Sequence, residues 1–443
     1  MAVALGYLAL PVFLKKAMAD SFFKRRLFGK KKRRVTLGMW CGAVTPTEAI
    51  IAAIIDLKYL KGLFELATDI RFHNVVMSLE LTKKTVKKDK GRRSITKKIK
   101  LAGLIPNTKY YYRFLAKNRK HDSLIGEFET FPDKAASFRF AFGSCAETGS
   151  TSKAFTKIRE ANPLFFIHGG DLHYENIRKD KVRKFRKGIR KAITSRTQAE
   201  LYRNIPIAYI WDDHDYGANN SHSESPARKS ALKAYRECVP HYPLVNPAGD
   251  RTIEQAFSVG RVRFVMTDLR SEKTPCKEKR ARRTVMGEKQ LKWFKNEILT
   301  ASSSHKLVVW INSIPWIGKP ELGSDSWDGY QEERENIANF IASKNIKNLM
   351  LISGDAHMLG LDDGTHSDYS LTKKAPLVVF HAAAMGSRKN PSLKGGPYSH
   401  GAFPGKEQFG IIDIKDEGGD KVSIHLSGQD SQGRELIKYN FSV

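Results

Sequence analysis

Short apolar runs that end at polar residues recur along the chain from residue 138 onward. These runs lie at residues 138–142, 164–167, 207–211, 262–266, 307–311 and 349–352. Runs of this length are typical of buried strands, and intervening stretches such as 178–196 and 287–300 have helical patterns. Buried strands that alternate with helices predict an α/β domain, in which functional groups gather beyond the carboxyl ends of the strands.

A different pattern precedes this region. Residues 75–82 and 94–101 alternate in part between apolar and polar positions, and a Pro-Asn-Thr turn leads into the Tyr-rich run 110–114. These features predict strands of a β-sandwich, in which a tyrosine near a strand start often ties down a corner. Residues 48–56 are ambiguous between helix and strand, because so short an apolar run has no decisive period.

The change of pattern divides the chain into three parts. We expect an apolar and basic segment at 1–34, an all-β sandwich domain at 35–132 and the α/β domain at 133–443. With 41% hydrophobic residues and four cysteines among 443 residues, the chain can form large cores and is not a disulfide scaffold. Its net charge of +30 favours an anionic partner, whether nucleic acid, acidic lipid, a cell-wall polymer or a phosphorylated small molecule.

Two basic segments leave alternatives open. Residues 1–14 are apolar and basic clusters follow at 24–26 and 30–34. This segment is a solvated tail, the result of a misassigned start, or a contact with an anionic membrane surface. The charge follows the apolar run, unlike in a secretory signal, but we expect an exported, periplasmic or membrane-associated protein over a cytoplasmic one. The helical run 178–191 has a basic face. Either this face is solvated, or it steers a polyanionic substrate or docks on anionic lipid.

The ends of the predicted strands carry the candidate chemistry. Adjacent glycines permit tight turns that bring these residues to a shared centre. Hard cations prefer carboxylate oxygens, and borderline metals also accept imidazole and thiolate, so a metal centre is predicted. The candidates are Cys145, Asp171, Asp212, Asp213, His214, Asp355 and His357.

These residues resemble the calcineurin-like metallophosphoesterase superfamily and, more closely, its alkaline phosphatase D (PhoD-like) family. The resemblance runs from about residue 132 to the C-terminus, and the strand-rich region before it is similar to the sandwich domain that commonly precedes this catalytic domain. The matching segments are Phe142-Gly143-Ser144-Cys145, Gly170-Asp171-Leu172-His173-Tyr174-Glu175, Trp211-Asp212-Asp213-His214-Asp215 and Gly354-Asp355-Ala356-His357.

The resemblance implies a four-layer αββα metallophosphoesterase sandwich with a metal centre of iron, often with calcium, although other divalent metals are possible. Tyr174 would bind as a phenolate and Cys145 as a thiolate on the iron side, while Asp171 would bridge metals. The superfamily's isolated histidine is missing, because Asn312-Ser313 stands at the corresponding strand end, and this leaves the number of metals open. The implied metal ligands are Cys145, Asp171, Tyr174, Asp212, Asp213, Asp355 and His357.

The implied reaction is hydrolysis of a phosphoester, either a diester or a monoester. Metals would neutralise the phosphate and activate a water towards hydroxide, while His214 would protonate the leaving oxygen. Asp215 is expected to orient the ring of His214. Arg270 either clamps the phosphate or pairs with Asp268, and Asn219 either reaches the phosphate or forms a turn.

Two other functions are kept as alternatives. A phospholipase D-like hydrolase would act on membrane lipids, and a non-catalytic protein would use the same fold to hold a polyanion. No specific nucleic-acid partner is predicted.

Overall fold

The computed structural model describes residues 36–59, 61–81, 94–116, 124–249, 251–276, 283–386 and 393–443. The predicted segment 1–34 therefore lies outside the described residues. The strands are β1 Thr36–Gly42, β2 Glu48–Asp56, β3 Leu63–Ala67, β4 Val75–Glu80, β5 Ser94–Ala102, β6 Lys109–Leu115, β7 Gly126–Glu129, β8 Phe138–Gly143, β9 Phe165–His168, β10 Ile207–Tyr209, β11 Gln255–Val259, β12 Val262–Met266, β13 Leu307–Asn312, β14 Leu349–Ser353, β15 Met358–Asp362, β16 Val378–Ala382, β17 Ala402–Pro404, β18 Gln408–Lys415, β19 Ser423–Asp430 and β20 Glu435–Ser442.

All the α-helices described lie between strands of the region that begins at residue 133. They are α1 Lys153–Glu160, α2 Val182–Thr194, α3 Arg196–Asn204, α4 Asp213–Tyr216, α5 Arg228–Cys238, α6 Gly287–Ser304 and α7 Gln331–Ser343, with short 3-10 turns at Leu57–Tyr59 and Trp327–Gly329. Within the described ranges, none of these helices is both long and apolar enough to cross a bilayer. The helix predicted over 178–196 begins later and ends at Thr194, and the extended backbone of Ser195 separates α2 from α3.

Two large mixed sheets form the centre of the fold. One has the strand order β20-β19-β18-β8-β9-β10-β1-β2-β5, and the other has the order β11-β12-β13-β14-β16-β15-β17. The pairs β8–β9 and β9–β10 are parallel in the first sheet, as are β12–β13 and β13–β14 in the second. Parallel strands buried on both faces need helical cover, which agrees with the predicted αββα sandwich.

The N-terminal strands contribute to two sheets. β3, β4, β6 and β7 form a separate four-stranded sheet, whereas β1, β2 and β5 extend the nine-stranded sheet through the parallel pairing of Gly42 with Ile207. The ambiguous segment 48–56 is strand β2, because it pairs along its length with β1 on one side and β5 on the other. Tyr110 closes the predicted corner, since its hydroxyl accepts a hydrogen bond from the Ile105 N–H at 3.0 Å.

Phenylalanine rings fill the space between the two large sheets. Phe140 and Phe165 of the first sheet lie 5.3 Å apart, and each meets Phe264 of the second sheet edge-on at 5.2 Å. Edge-to-face contacts of this kind add to the free energy gained by burying the rings. This aromatic contact joins the two large sheets.

Replacing the central ring should weaken this contact between the sheets. Phe165 is 1% exposed, so Phe165→Ala is expected to lower the free energy of unfolding by about 3–5 kcal/mol. Leu371→Ala is the control, because Leu371 is 83% exposed and should change stability by less than about 0.5 kcal/mol. Denaturant unfolding measures both, and equal effects would contradict the assigned role of Phe165.

Candidate metal centre

The predicted site residues follow strand ends of both large sheets, and several have an unusual backbone. Cys145 follows β8, Asp171 follows β9, and Asp355 and His357 lie between β14 and β15. These four residues have φ values of 59°, 57°, 71° and 50° respectively. Non-glycine residues rarely adopt this left-handed conformation, and it is concentrated where function requires it. The turns therefore point these side chains towards one centre.

Donor atoms from these turns meet in three linked groups. Within each group the candidate ligand atoms all lie within 4.8 Å of one another. Asp171 belongs to two groups and Asp213 to two, so neighbouring groups share a carboxylate. The groups are Cys145–Asp171–His357, Asp171–Asp213–His214 and Asp212–Asp213–Asp355.

Bound cations would stabilise the buried carboxylates in their ionised form. Burial, and then repulsion from Asp213 and Asp212, raise the pKa of Asp171 well above its ordinary value. Burial also raises the pKa of Asp212, despite the attraction of Arg270. The second carboxylate oxygen of Asp212, Oδ2, is buried and has no hydrogen-bond partner among the described residues. An orphaned oxygen among buried acids fits metal binding, because ions are the usual compensation for such groups.

Tyr174 joins the group that contains the thiol. Its hydroxyl lies 3.1 Å from His357 Nε2, and its ring lies 4.2 Å from that of His214. Burial, and then the charge of Asp171, raise the pKa of Tyr174, and burial likewise raises that of Cys145. A bound cation would reverse this effect, since metals deprotonate coordinating thiols. A thiol, a phenol, a carboxylate and an imidazole thus face one point.

The structure corrects the predicted role of Asp215. Its carboxylate accepts hydrogen bonds from the backbone N–H groups of Asp212 and His173, each at 3.2 Å, and so closes the first turn of α4. The ring of His214 is held instead by Asn176, whose Oδ1 lies 2.8 Å from His214 Nδ1. The prediction failed because adjacent residues at a helix start point in different directions.

Arg270 and Asn219 have well-defined neighbours. Arg270 is buried and pairs through Nε with Asp212 and through a terminal nitrogen with Asp325, each at 2.5 Å. Its expected partner Asp268 instead accepts a hydrogen bond from the Arg270 backbone N–H at 3.1 Å. Asn219 is exposed and donates to the side chain of Asn220 at 2.8 Å. Contact of either residue with a substrate stays a prediction.

Four neighbours of the site were not among the predicted residues. Ser313 donates to Asp212 Oδ1 at 2.9 Å, and its position at a strand end was the available signal. Asn176 lies two residues beyond Tyr174 in the same loop, which was a weaker signal. Asp325 and Lys394 reach the site from long connections whose paths the local pattern does not determine.

Two mixed sheets between helical layers, with acids and histidines at the strand ends, define a metallophosphoesterase-type fold. The sequence profile of the PhoD-like phosphatase matches residues 140–408, and that of the PhoD-like phosphatase N-terminal domain matches residues 23–132. The chain therefore belongs to the PhoD-like phosphatase family.

Individual relatives agree with this assignment. Alkaline phosphatase D of Bacillus subtilis (strain 168) is 29% identical over 342 residues, which cover 64% of this chain and 56% of that protein. The match thus spans little more than half of the relative's length. A solved structure of PhoD has a TM-score of 0.70 at 19% identity and covers 92% of both chains. A purple acid phosphatase from yellow lupin (Lupinus luteus) seeds has a TM-score of 0.57 at 11% identity, covering 91% of this chain and 73% of that one. These two structures show the shared fold.

The central position of Asp171 leads to a test of metal binding. Asp171→Asn should lose at least one equivalent of metal, because the amide can neither bridge nor neutralise cations in the way a carboxylate does. Asp180→Asn is the matched control, since Asp180 is exposed a few residues further along the same loop. Elemental analysis of the two purified proteins and the wild type measures the metal content. Equal content in all three would contradict the assignment.

Proposed function

We propose that this protein is a metal-dependent phosphoester hydrolase, acting on phosphodiesters and phosphomonoesters. The observation that carries the proposal is the set of three linked donor groups at the strand ends. Bound metal ions would neutralise the charge of the phosphate, orient it and lower the pKa of an attacking water. Membership of a phosphatase family and the similarity to alkaline phosphatase D support this reaction class.

The two ends of the site favour different metals. Cys145, Tyr174, His357 and Asp171 would hold iron, because thiolate, phenolate and imidazole suit a transition metal. The group Asp212–Asp213–Asp355 offers only oxygen donors, and oxygen ligands are what calcium prefers. We propose iron with calcium for this reason.

His214 is the proposed proton donor to the leaving oxygen. Because Asn176 Oδ1 accepts the hydrogen bond at Nδ1, that nitrogen carries a proton and Nε2 is left for the substrate. Asp171 fixes the start of α4, since its carboxylate accepts the backbone N–H of His214 at 3.3 Å. The ring is therefore placed beside the proposed metal ligands by contacts at both its backbone and its side chain.

Leaving groups of different basicity test this role. His214→Ala should lower kcat by about 10²–10⁴-fold for an alkyl or phenyl phosphodiester, the range typical of a lost general acid. The loss should be smaller for bis(p-nitrophenyl) phosphate, because p-nitrophenolate leaves without full protonation. His425→Ala, which changes a histidine that contacts Asn440 on the outer strands, is the control. An equal loss for both substrates would argue against proton donation.

The exposed face of α2 supports an anionic surface as a partner. Phe185, Gly188 and Ile189 are buried, and Gly188 packs against the ring of His173 in the loop that carries Tyr174. Arg183, Lys184 and Lys187 are exposed and form no ion pair within the described structure. We propose that this face, together with the basic sequence at 24–34, recruits the protein to anionic membranes. Such recruitment would agree with an exported or membrane-associated location.

Vesicle binding tests this recruitment. The double variant Lys184→Glu/Lys187→Glu should bind phosphatidylglycerol-containing vesicles at least tenfold more weakly than the wild type, since each basic residue near such a surface contributes about 1 kcal/mol. The control Lys415→Glu/Lys438→Glu reverses the same number of charges on β18 and β20. Cosedimentation at two salt concentrations measures binding. Unchanged binding would leave α2 as a solvated face, and selective hydrolysis of vesicle lipids would favour the phospholipase alternative.

A further inference from the structure

Lys394 places a positive charge at the solvent-facing side of the candidate metal centre. Its Nζ lies 3.6 Å from Asp355 Oδ2, and its side chain is 54% exposed. This distance is that of an ion pair but exceeds the usual hydrogen-bond length of about 2.7–3.2 Å. The ammonium donates no hydrogen bond to any residue in the described part of the chain, so its three N–H groups face solvent or a ligand.

The backbone beside Lys394 is held in place. The Gly396 N–H donates to the Ile317 carbonyl at 3.2 Å. A Cβ at Gly395 would collide with this same carbonyl oxygen, and the φ of 72° at Gly395 is one that side-chain-bearing residues rarely adopt. The Tyr398 hydroxyl lies 3.5 Å from the Lys394 carbonyl oxygen. These contacts fasten the lysine to the segment that follows Ser313, which itself contacts Asp212.

Two other cations among the described residues of the site are held in buried ion pairs. Arg270 lies between Asp212 and Asp325, and Lys273 contacts Asp325 at 2.6 Å. Both side chains are fully buried. Lys394, by contrast, is half exposed, so an incoming anion can reach its charge. A lysine side chain is ordinarily cationic at neutral pH.

We propose that Lys394 binds a non-bridging oxygen of the substrate's phosphate group from the solvent side of the metal centre. This inference rests on the proposed hydrolase function and deepens it by assigning a substrate-binding residue. A lysine ammonium is a compact charge that suits a phosphate oxygen. Its flexible stem allows Nζ to move from Asp355 to the substrate when cations neutralise that carboxylate.

Kinetics and binding together test the proposal. In metal-loaded protein, Lys394→Met should raise KM for bis(p-nitrophenyl) phosphate roughly tenfold, as expected for one lost charge-assisted hydrogen bond. The change in kcat should stay within about twofold, because the contact is made equally in the ground state and the transition state. Lys394→Arg should restore most of the affinity. Lys415→Met is the control, since Lys415, at the end of β18, also pairs with a carboxylate, that of Glu417.

Two further measurements separate the possible failures. Calorimetric titration with inorganic phosphate should show the same roughly tenfold weakening in Lys394→Met, whether or not the protein turns over a substrate. Metal content should stay at the wild-type level. Unchanged KM and unchanged phosphate affinity would overturn the inference, as would loss of metal, which would make Lys394 a structural partner of Asp355. A wild type that binds phosphate through Lys394 but hydrolyses no phosphoester would overturn the proposed function alone.

Discussion

Repulsion among buried carboxylates is the constraint around which the centre of this protein is organised. Asp171, Asp212, Asp213 and Asp355 belong to linked donor groups, and burial, followed by repulsion from neighbouring acids, raises the pKa of Asp171. Burial likewise raises the pKa of Asp212. Such a cluster is unfavourable unless cations neutralise it, because buried unpaired charges cost several kcal/mol each. The surrounding structure must therefore hold the acids in place against their own repulsion, and this requirement explains many of its features.

The protein opposes this repulsion with backbone turns and buried cations. The left-handed conformations at Cys145, Asp171 and Asp355 direct the side chains inward, while β9, β14 and the last four residues of β8 are buried. Arg270 offsets part of the charge of Asp212. It also offsets the charge of Asp325. Burial would raise the pKa of Asp325, but Arg270 and Lys273 lower this pKa to about 2. Arg270 and Lys273 thus neutralise part of the negative charge of these acids, and the rest is available to metal ions.

The N-terminal strands support the same centre from outside it. β1 pairs with β10, the strand that leads directly into Asp212 and Asp213. Gly42 makes this possible, because a side chain there would collide with the carbonyl oxygens of Ile207 and Pro240. Trp40 adds a hydrogen bond to the Cys238 carbonyl at 3.1 Å at the end of α5. The two regions are therefore joined by a continuous sheet beside the acidic cluster.

Local sequence determines the strands, the turns after them and the residue types that these turns present. These local signals predicted an α/β domain with candidate metal ligands at its strand ends, whereas the four-layer αββα arrangement was implied by the family resemblance. Tertiary structure alone decided which side chains meet: Asn176 rather than Asp215 holds His214, Asp212 rather than Asp268 pairs with Arg270, and Lys394 faces Asp355. The physical reason is the separation along the chain between the residues that make contact. Hydrophobic periodicity reports burial over a few residues, whereas these contacts join positions up to about sixty residues apart, or are decided between adjacent side chains by the direction in which a turn points them.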